Sequence, residues 1–352
     1  MPCDAGVCGL SGSPQGRAAR DGVAAGMLPD RHPQGDFFVC DIFDARPKDD
    51  LASMEHPLFS LSTRPDLRIL DYRHNGAAIT VTPSVRGLAT IHDKDILIYC
   101  ISQLMAALNA GREVARTLQL RAHDLLIATN RETSGDAYRR LREAFERLAG
   151  TRITTNIVTG GIEMTRGFGL IEGWEIVRQN RGGRMISVMV TLSDWLFRAV
   201  LSKSVLTLSR DYFRLRKPLE RRIYELARKH CGRQPEWRIA IPLLHHKSGS
   251  ASPVRVFRRM IRDMIAEDSL PDYRLAEEED DILRVLSRRP PAPLPLISAE
   301  ALETARGLAP GWDVHALVAQ WQGIWADTGR TLLRAPDLAF LGWLRKRMEN
   351  GG

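Results

Sequence analysis

Apolar positions follow two spacings along this 352-residue chain, and the order in which they alternate is informative. From His92 the spacing is helical. ILIYCISQLMAALNA is apolar almost all round, with Asp93 or Asp95 as cap and Gly111 as stop, so it belongs in the middle of a core. A short helix fits AHDLLIATN, and Ser134 or Asp136 can cap DAYRRLREAFERLAG, which stops at Gly150. Beyond Gly150 the spacing becomes that of strands: TRITTNIVTG, FGLIEGWEIVRQN and RGGRMISVMVTL, with RQNRGGR as a basic, glycine-rich surface turn. Three helices and then a β-hairpin is the order of a winged helix, a helix-turn-helix carrying a β wing.

The same order then recurs. Pro218 opens PLERRIYELARKHCG, which stops at Gly232; a short strand EWRIAI, a short helix LLHHKSG and a third helix SASPVRVFRRMIRDMIAED follow. DYRLAEEEDDILRVL reads as two strands around an acidic turn. The expected fold is mainly α with small β wings (α+β): two tandem winged-helix domains, at about 88–200 and 205–288, plus a small C-terminal helical unit. In domain terms, residues 36–200 hold an N-terminal extension and the first winged helix, and 205–288 the second. Residues 289–297, from the RRPPAPLPL stretch, form a stiff Pro-rich linker, and 298–352 a helical region with Trp312, Trp321, Trp325 and Trp343. Those tryptophans either pack a small core or present a partner surface. Residues 1–35, rich in Gly, Ala, Pro and Ser, read as a disordered tail or an overlong start, with Met27 as an alternative initiator. Within the extension, RILDYRHNGAAITVTPS alternates around Asn75-Gly76 like a hairpin.

Charge sharpens this picture. The chain carries a net +8, yet from Leu206 to Ile265 there are fifteen Lys and Arg against five carboxylates, a larger excess than in the whole. A concentrated basic surface is the footprint of phosphate contact. In the third helix of the second repeat, with Pro253 as first residue and Ser252 or Ser250 as cap, Val254, Phe257, Met260, Ile261, Met264 and Ile265 form one stripe. Arg255, Arg258, Arg259 and Arg262 form the opposite one. In a helix-turn-helix this element enters the major groove, where Arg donates two bonds to guanine, so these four are the expected base readers. Arg214, Arg216, Lys217, Arg221, Arg222, Lys247, Ser250 and Ser252 are the expected phosphate contacts. Arg139, Arg140 and Arg142 of the first repeat either touch phosphate, lie on a solvated face or serve a dimer surface; Arg181 and Arg184 on the wing are placed to touch a minor groove.

Other chemistries find no support in the pattern. The longest uncharged apolar run, Ile96 to Ala110, is too short to span a bilayer, and the amino terminus lacks a basic start followed by an apolar core, so a cytoplasmic protein is expected. Cys3, Cys8, Cys40, Cys100 and Cys231 form no C-x-x-C pair, which predicts free thiols, with Cys100 and Cys231 buried. There is no P-loop, and neither a metal site nor a cofactor is expected. His245-His246 with Tyr224 and Lys229 bear comparison with a rolling-circle nickase, but the histidines are adjacent on a short helix instead of separated by one apolar residue on a strand.

GLATIHDKDILIYCISQL, FERLAGTRITTNI, LSRDYFRLRKPLERRIYELARKHCG, LLHHKSGS with VRVFRRMI, and PGWDVHALVAQW with DLAFLGWLR resemble the replication initiator protein A family of proteobacterial plasmids, over roughly residues 36 to 345. The resemblance implies a non-catalytic initiator that binds repeated, iteron-type sites in double-stranded origin DNA and helps open the duplex. It also implies recruitment of host initiator and helicase, and a homodimer in equilibrium with monomer that controls its own expression and plasmid copy number. The residues alone serve equally a winged-helix transcriptional repressor without a replication role.

Overall fold

A computed structural model describes residues 27–32, 47–74, 77–159, 162–178, 185–232, 234–288, 294–327, 333 and 335–349. The chain enters through β1 (Lys48–Asp50), α1 (Leu51–Glu55) and the paired strands β2 (Leu70–His74) and β3 (Ala77–Thr82). The Asn75-Gly76 turn expected between that pair lies outside the described residues, as do most of residues 1–46. Met27–His32 do not behave as a detached tail. Leu28 donates its backbone N–H to the Arg214 carbonyl at 2.8 Å, and the Arg31 N–H reaches Asn130 Oδ1 at 2.8 Å.

The first repeat comprises α2 (Lys94–Asn109), β4 (Thr117–Leu120), α3 (Ala122–Ala128) and α4 (Gly135–Gly150), then β5 (Arg152–Thr159), β6 (Ile162–Gly169), β7 (Ile171–Arg178) and β8 (Met185–Leu192). As its apolar circumference requires, α2 is buried along Lys94–Ser102 and ends before Gly111, at φ 72°. Ser134 caps α4 by accepting from Ala137 N–H. Four strands stand where three were expected. β5 and β6 leave the repeat and join β2 and β3 in a four-stranded sheet, order β2-β3-β5-β6, while β4, β8 and β7 form a separate sheet in that order. The chain passes from one sheet to the other at Leu170. A Cβ on Gly169 would lie 2.9 Å from the Ile171 carbonyl, so only glycine fits this corner.

After α5 (Asp194–Leu201), β9 (Val205–Thr207), which pairs with β1, and a 3₁₀ turn at Arg210–Arg214, the second repeat begins. It consists of α6 (Pro218–His230), β10 (Glu236–Ala240), α7 (Ile241–Ser248), α8 (Val254–Glu267), β11 (Tyr273–Glu278) and β12 (Ile282–Ser287). Its sheet order, β10-β12-β11, reproduces β4-β8-β7: in both repeats the first strand pairs with the last strand of the hairpin. Pro218 opens α6 as expected. α8 instead starts one residue late, because Pro253 is extended (ψ 144°) and neither Ser250 nor Ser252 caps it. α9 (Ala299–Leu308), α10 (Val314–Asp327) and α11 (Pro336–Glu349) complete the described chain.

One hydrophobic core runs without interruption from Met54 through both repeats to Val285; the C-terminal helices bury a second, smaller one. Trp321 and Trp325 are buried and Trp343 packs on the smaller core, whereas Trp312 is half-exposed beneath Arg347, 5.7 Å from its ring. Cys100 and Cys231 are buried free thiols. No helix among the described residues is long and apolar enough to cross a membrane.

Candidate nucleic-acid interface

The amphipathic pattern of α8 sets its orientation. Phe257, Ile261 and Met264 are buried against the core, leaving Arg255 and Arg259 fully outward, Arg259 with 85% of its side chain exposed. Arg255 makes no ion pair among the described residues, and Arg259 only a 4.0 Å approach to Asp263 on its own helix. Arg258 and Arg262 are held differently. Arg258 donates from Nε and Nη2 to the Asp281 carboxylate at 2.8 and 2.6 Å, and Arg262 clasps Glu277 through two 2.8 Å bonds. Both carboxylates belong to the β11–β12 hairpin, and their arginines hold them below the usual carboxylate range, hence charged. The acidic turn, with Asp280 and Asp281 at positive φ, is thus pinned to α8 by two bidentate pairs. Val256 and Met260 are exposed beside the two outward arginines, so Met260 leaves the apolar stripe assigned to it.

The expected phosphate contacts divide sharply. Arg216 is exposed, and Lys217 half-exposed but tied to Glu267 at the end of α8. Arg214 is mostly covered by Asp211 and the Leu28 carbonyl. Ser250 and Ser252 are half-buried, spent on the turn before α8: Ser250 Oγ accepts from Ser252 N–H, and the Ser252 carbonyl from His245. Arg221, Arg222 and Lys247 are buried, at 3, 3 and 7% exposure, and cannot reach a phosphate. Arg222 instead donates to the carbonyls of Ser53, Met54, Glu55 and Lys247 at 2.8–3.2 Å and to Glu225 at 3.3 Å. Arg221 pairs with buried Asp95 of α2 and bonds the Leu215 carbonyl at 2.9 Å.

These are members of an ionic seam between α6, α2 and the N-terminal extension. Lys94 lies between Asp49 at 2.6 Å and Glu225 at 3.0 Å, all three essentially without solvent contact. Burial works against its charge, but the two carboxylates hold its pKa above the ordinary lysine value; burial likewise lifts Asp49. Glu55 gathers His230, Lys229 and Lys247, which hold its carboxyl far below the usual range. α6 is therefore buried along Leu219–Ala227, charged residues included.

In the first repeat, α4 turns Leu141, Phe145 and Leu148 inward. Arg139, Arg140 and Arg142 are exposed as expected, each paired to a carboxylate on the same helix: Asp136 and Glu143, Asp136, and Glu146. Arg181 and Arg184 lie outside the described residues. The residues compared with a nickase have packing roles. His246 stacks on Tyr72 at 4.6 Å, His245 meets the Phe257 ring edge-on, and buried Tyr224 bonds Asp272 and the Ser209 N–H.

Residues 48–275, from β1 into β11, match the family described as Replication initiator protein A. A putative replication protein of Wigglesworthia glossinidia brevipalpis is 37% identical over 244 residues, 68% of this chain and 88% of that one. Among solved structures, domains 2 and 3 of RctB are similar with a TM-score of 0.49 and 14% identity, over 67% of this chain and 95% of theirs. A second crystal structure of those domains gives a TM-score of 0.45 and 16% identity, over 66% and 95%.

Proposed function

The chain belongs to the replication initiator protein A family, and on that premise we propose that it binds repeated origin sites in double-stranded DNA through two winged helices. The carrying observation is the outward face of α8, where Arg255 and Arg259, neither held by another element, stand beside exposed Val256 and Met260. The two arginines donate to guanine edges, and the two apolar side chains meet thymine methyls. Arg258 and Arg262, first expected to read bases, brace the wing against the helix. The repeated helix–strand–helix–helix–hairpin order with identical strand pairing supports a winged helix in each half. Opening of the duplex follows from bending by several bound copies, without a motor or catalytic residue. A homodimer in equilibrium with monomer and contacts to host initiator and helicase complete the reading, with Trp312 the one tryptophan of the C-terminal unit still half-exposed to a partner.

The test is a mobility-shift titration on duplex DNA from around the protein's own gene, at two salt concentrations, with wild type and R255A/R259A. Discrete shifts on a repeated segment, with the preference over scrambled duplex lost in the variant, support the reading. Equal affinity for scrambled DNA, or full preference in the variant, refutes it. A repressor without a replication role gives the same shifts but does not maintain a plasmid carrying the origin.

A further inference from the structure

We propose that the cleft between α4, residues 62–65 and residues 213–216 is a second phosphate-binding site, which grips the DNA backbone beside α4. The inference rests on the DNA-binding reading above and extends it to a site outside α8. The cleft, of about 570 Å³, is lined by eight arginines against four carboxylates. All four carboxylates are already paired: Asp93 with Arg147 through two 2.7 Å bonds, Asp95 with Arg221 and Arg131, Glu132 with Arg31, and Glu143 with Arg139. The unspent charge lies at the rim. Arg64 and Arg216 are exposed and make no ion pair among the described residues; Arg86 and Arg140, also exposed, pair only with Glu146 and Asp136, which do not line the cleft.

Geometry selects the ligand. Part of the lining is α4, the third helix of the first repeat; another part, 213–216, leads directly into α6 of the second. An anion there sits at the junction of the two repeats, next to the helix that would enter a groove. A DNA strand flanking that helix presents phosphates at this position. Guanidinium forks from several elements suit phosphate oxygens better than ammonium groups do. A free polyphosphate shares this chemistry and is the competing source.

The test compares wild type, R64A/R216A and R64K/R216K, as full chains, on duplex DNA from around the protein's own gene over 50–200 mM salt. Each phosphate contact contributes about 0.9 to the slope of log affinity against log salt. The alanine pair is expected to lower that slope by about 1.8, so that wild type loses about tenfold more affinity than the variant across this fourfold range. Preference over scrambled duplex and melting temperature stay unchanged, and the lysine pair restores the slope. An unchanged slope in R64A/R216A overturns the cleft assignment and leaves the α8 reading standing, whereas absence of any DNA binding by wild type sinks both. Inorganic tripolyphosphate that binds wild type through these arginines without displacing DNA also overturns it, making the cleft a small-anion site.

Discussion

Arg222→Ala separates a phosphate contact from a structural strut. Its guanidinium is buried and donates to four backbone carbonyls and to Glu225, joining α1, α6 and α7. Truncation leaves those acceptors facing a void. An unsatisfied buried acceptor costs about 1–3 kcal/mol, and breaking a buried ion pair about 3–5. The carbonyls retain second lone pairs and water can fill part of the void, so the terms do not add, and we expect a loss of about 4 kcal/mol. At about 2–4 °C per kcal/mol for a body of this size, the melting temperature falls by about 10 °C, read by tryptophan fluorescence. Arg222→Lys recovers less than half, because one ammonium cannot span four carbonyls. At a temperature where the variant remains folded, the salt slope of DNA binding should equal that of wild type. A melting shift below about 3 °C together with a slope lowered by about 0.9 would mean that Arg222 faces phosphate and that the buried seam has been misread.

Three further outcomes are expected. His56, lowered by burial to about 4, binds its proton in the unfolded state first; stability therefore falls as pH drops from about 6.5 toward 4, by at most about 1.4 kcal/mol per pH unit from this site, and denaturant titrations that are flat from pH 7 to 5 would contradict it. Gly249 has φ 71°, and a Cβ there would lie 2.5 Å from Pro57 Cβ, so Gly249→Ala should cost at least about 2 kcal/mol in urea unfolding, while a neutral effect would show that the α7–α8 turn relaxes freely. Arg258→Ala and Asp281→Ala should each weaken DNA binding, with the double variant no weaker than either single; tighter binding by Asp281→Ala would show that Arg258, once released, reads DNA itself.

The repeated order, the position of α8 and the start of α6 at Pro218 were legible because each depends on local periodicity and capping. The buried arginines were not. RLRKPLERR looks like a solvated basic segment, and nothing within it announces that the carbonyls of α1, about 170 residues earlier, converge on Arg222. Strand β5 was assigned to the wing and β6 was missed for a related reason: β5 pairs with β3, far back in the chain, β6 follows it into that sheet, and alternation reports a strand but not its sheet. The clasp on Arg258 and Arg262 did leave a signal. EEEDD at residues 277–281 is acidic enough to ask which cations face it, and the adjacent helix was the available answer. Arg64 and Arg86 gave none, since each is a lone cation in a loop.

The ionic seam has a consequence for what the protein can measure. Lys94, Asp95, Arg221 and Glu225 fasten α2 to α6, so the two halves cannot pivot as domains on a flexible tether do. Under the proposed reading the molecule is a caliper: its jaws are set at one opening and one angle. Five base pairs inserted between its two contacts swing one of them to the far side of the double helix, and about ten bring it back into phase.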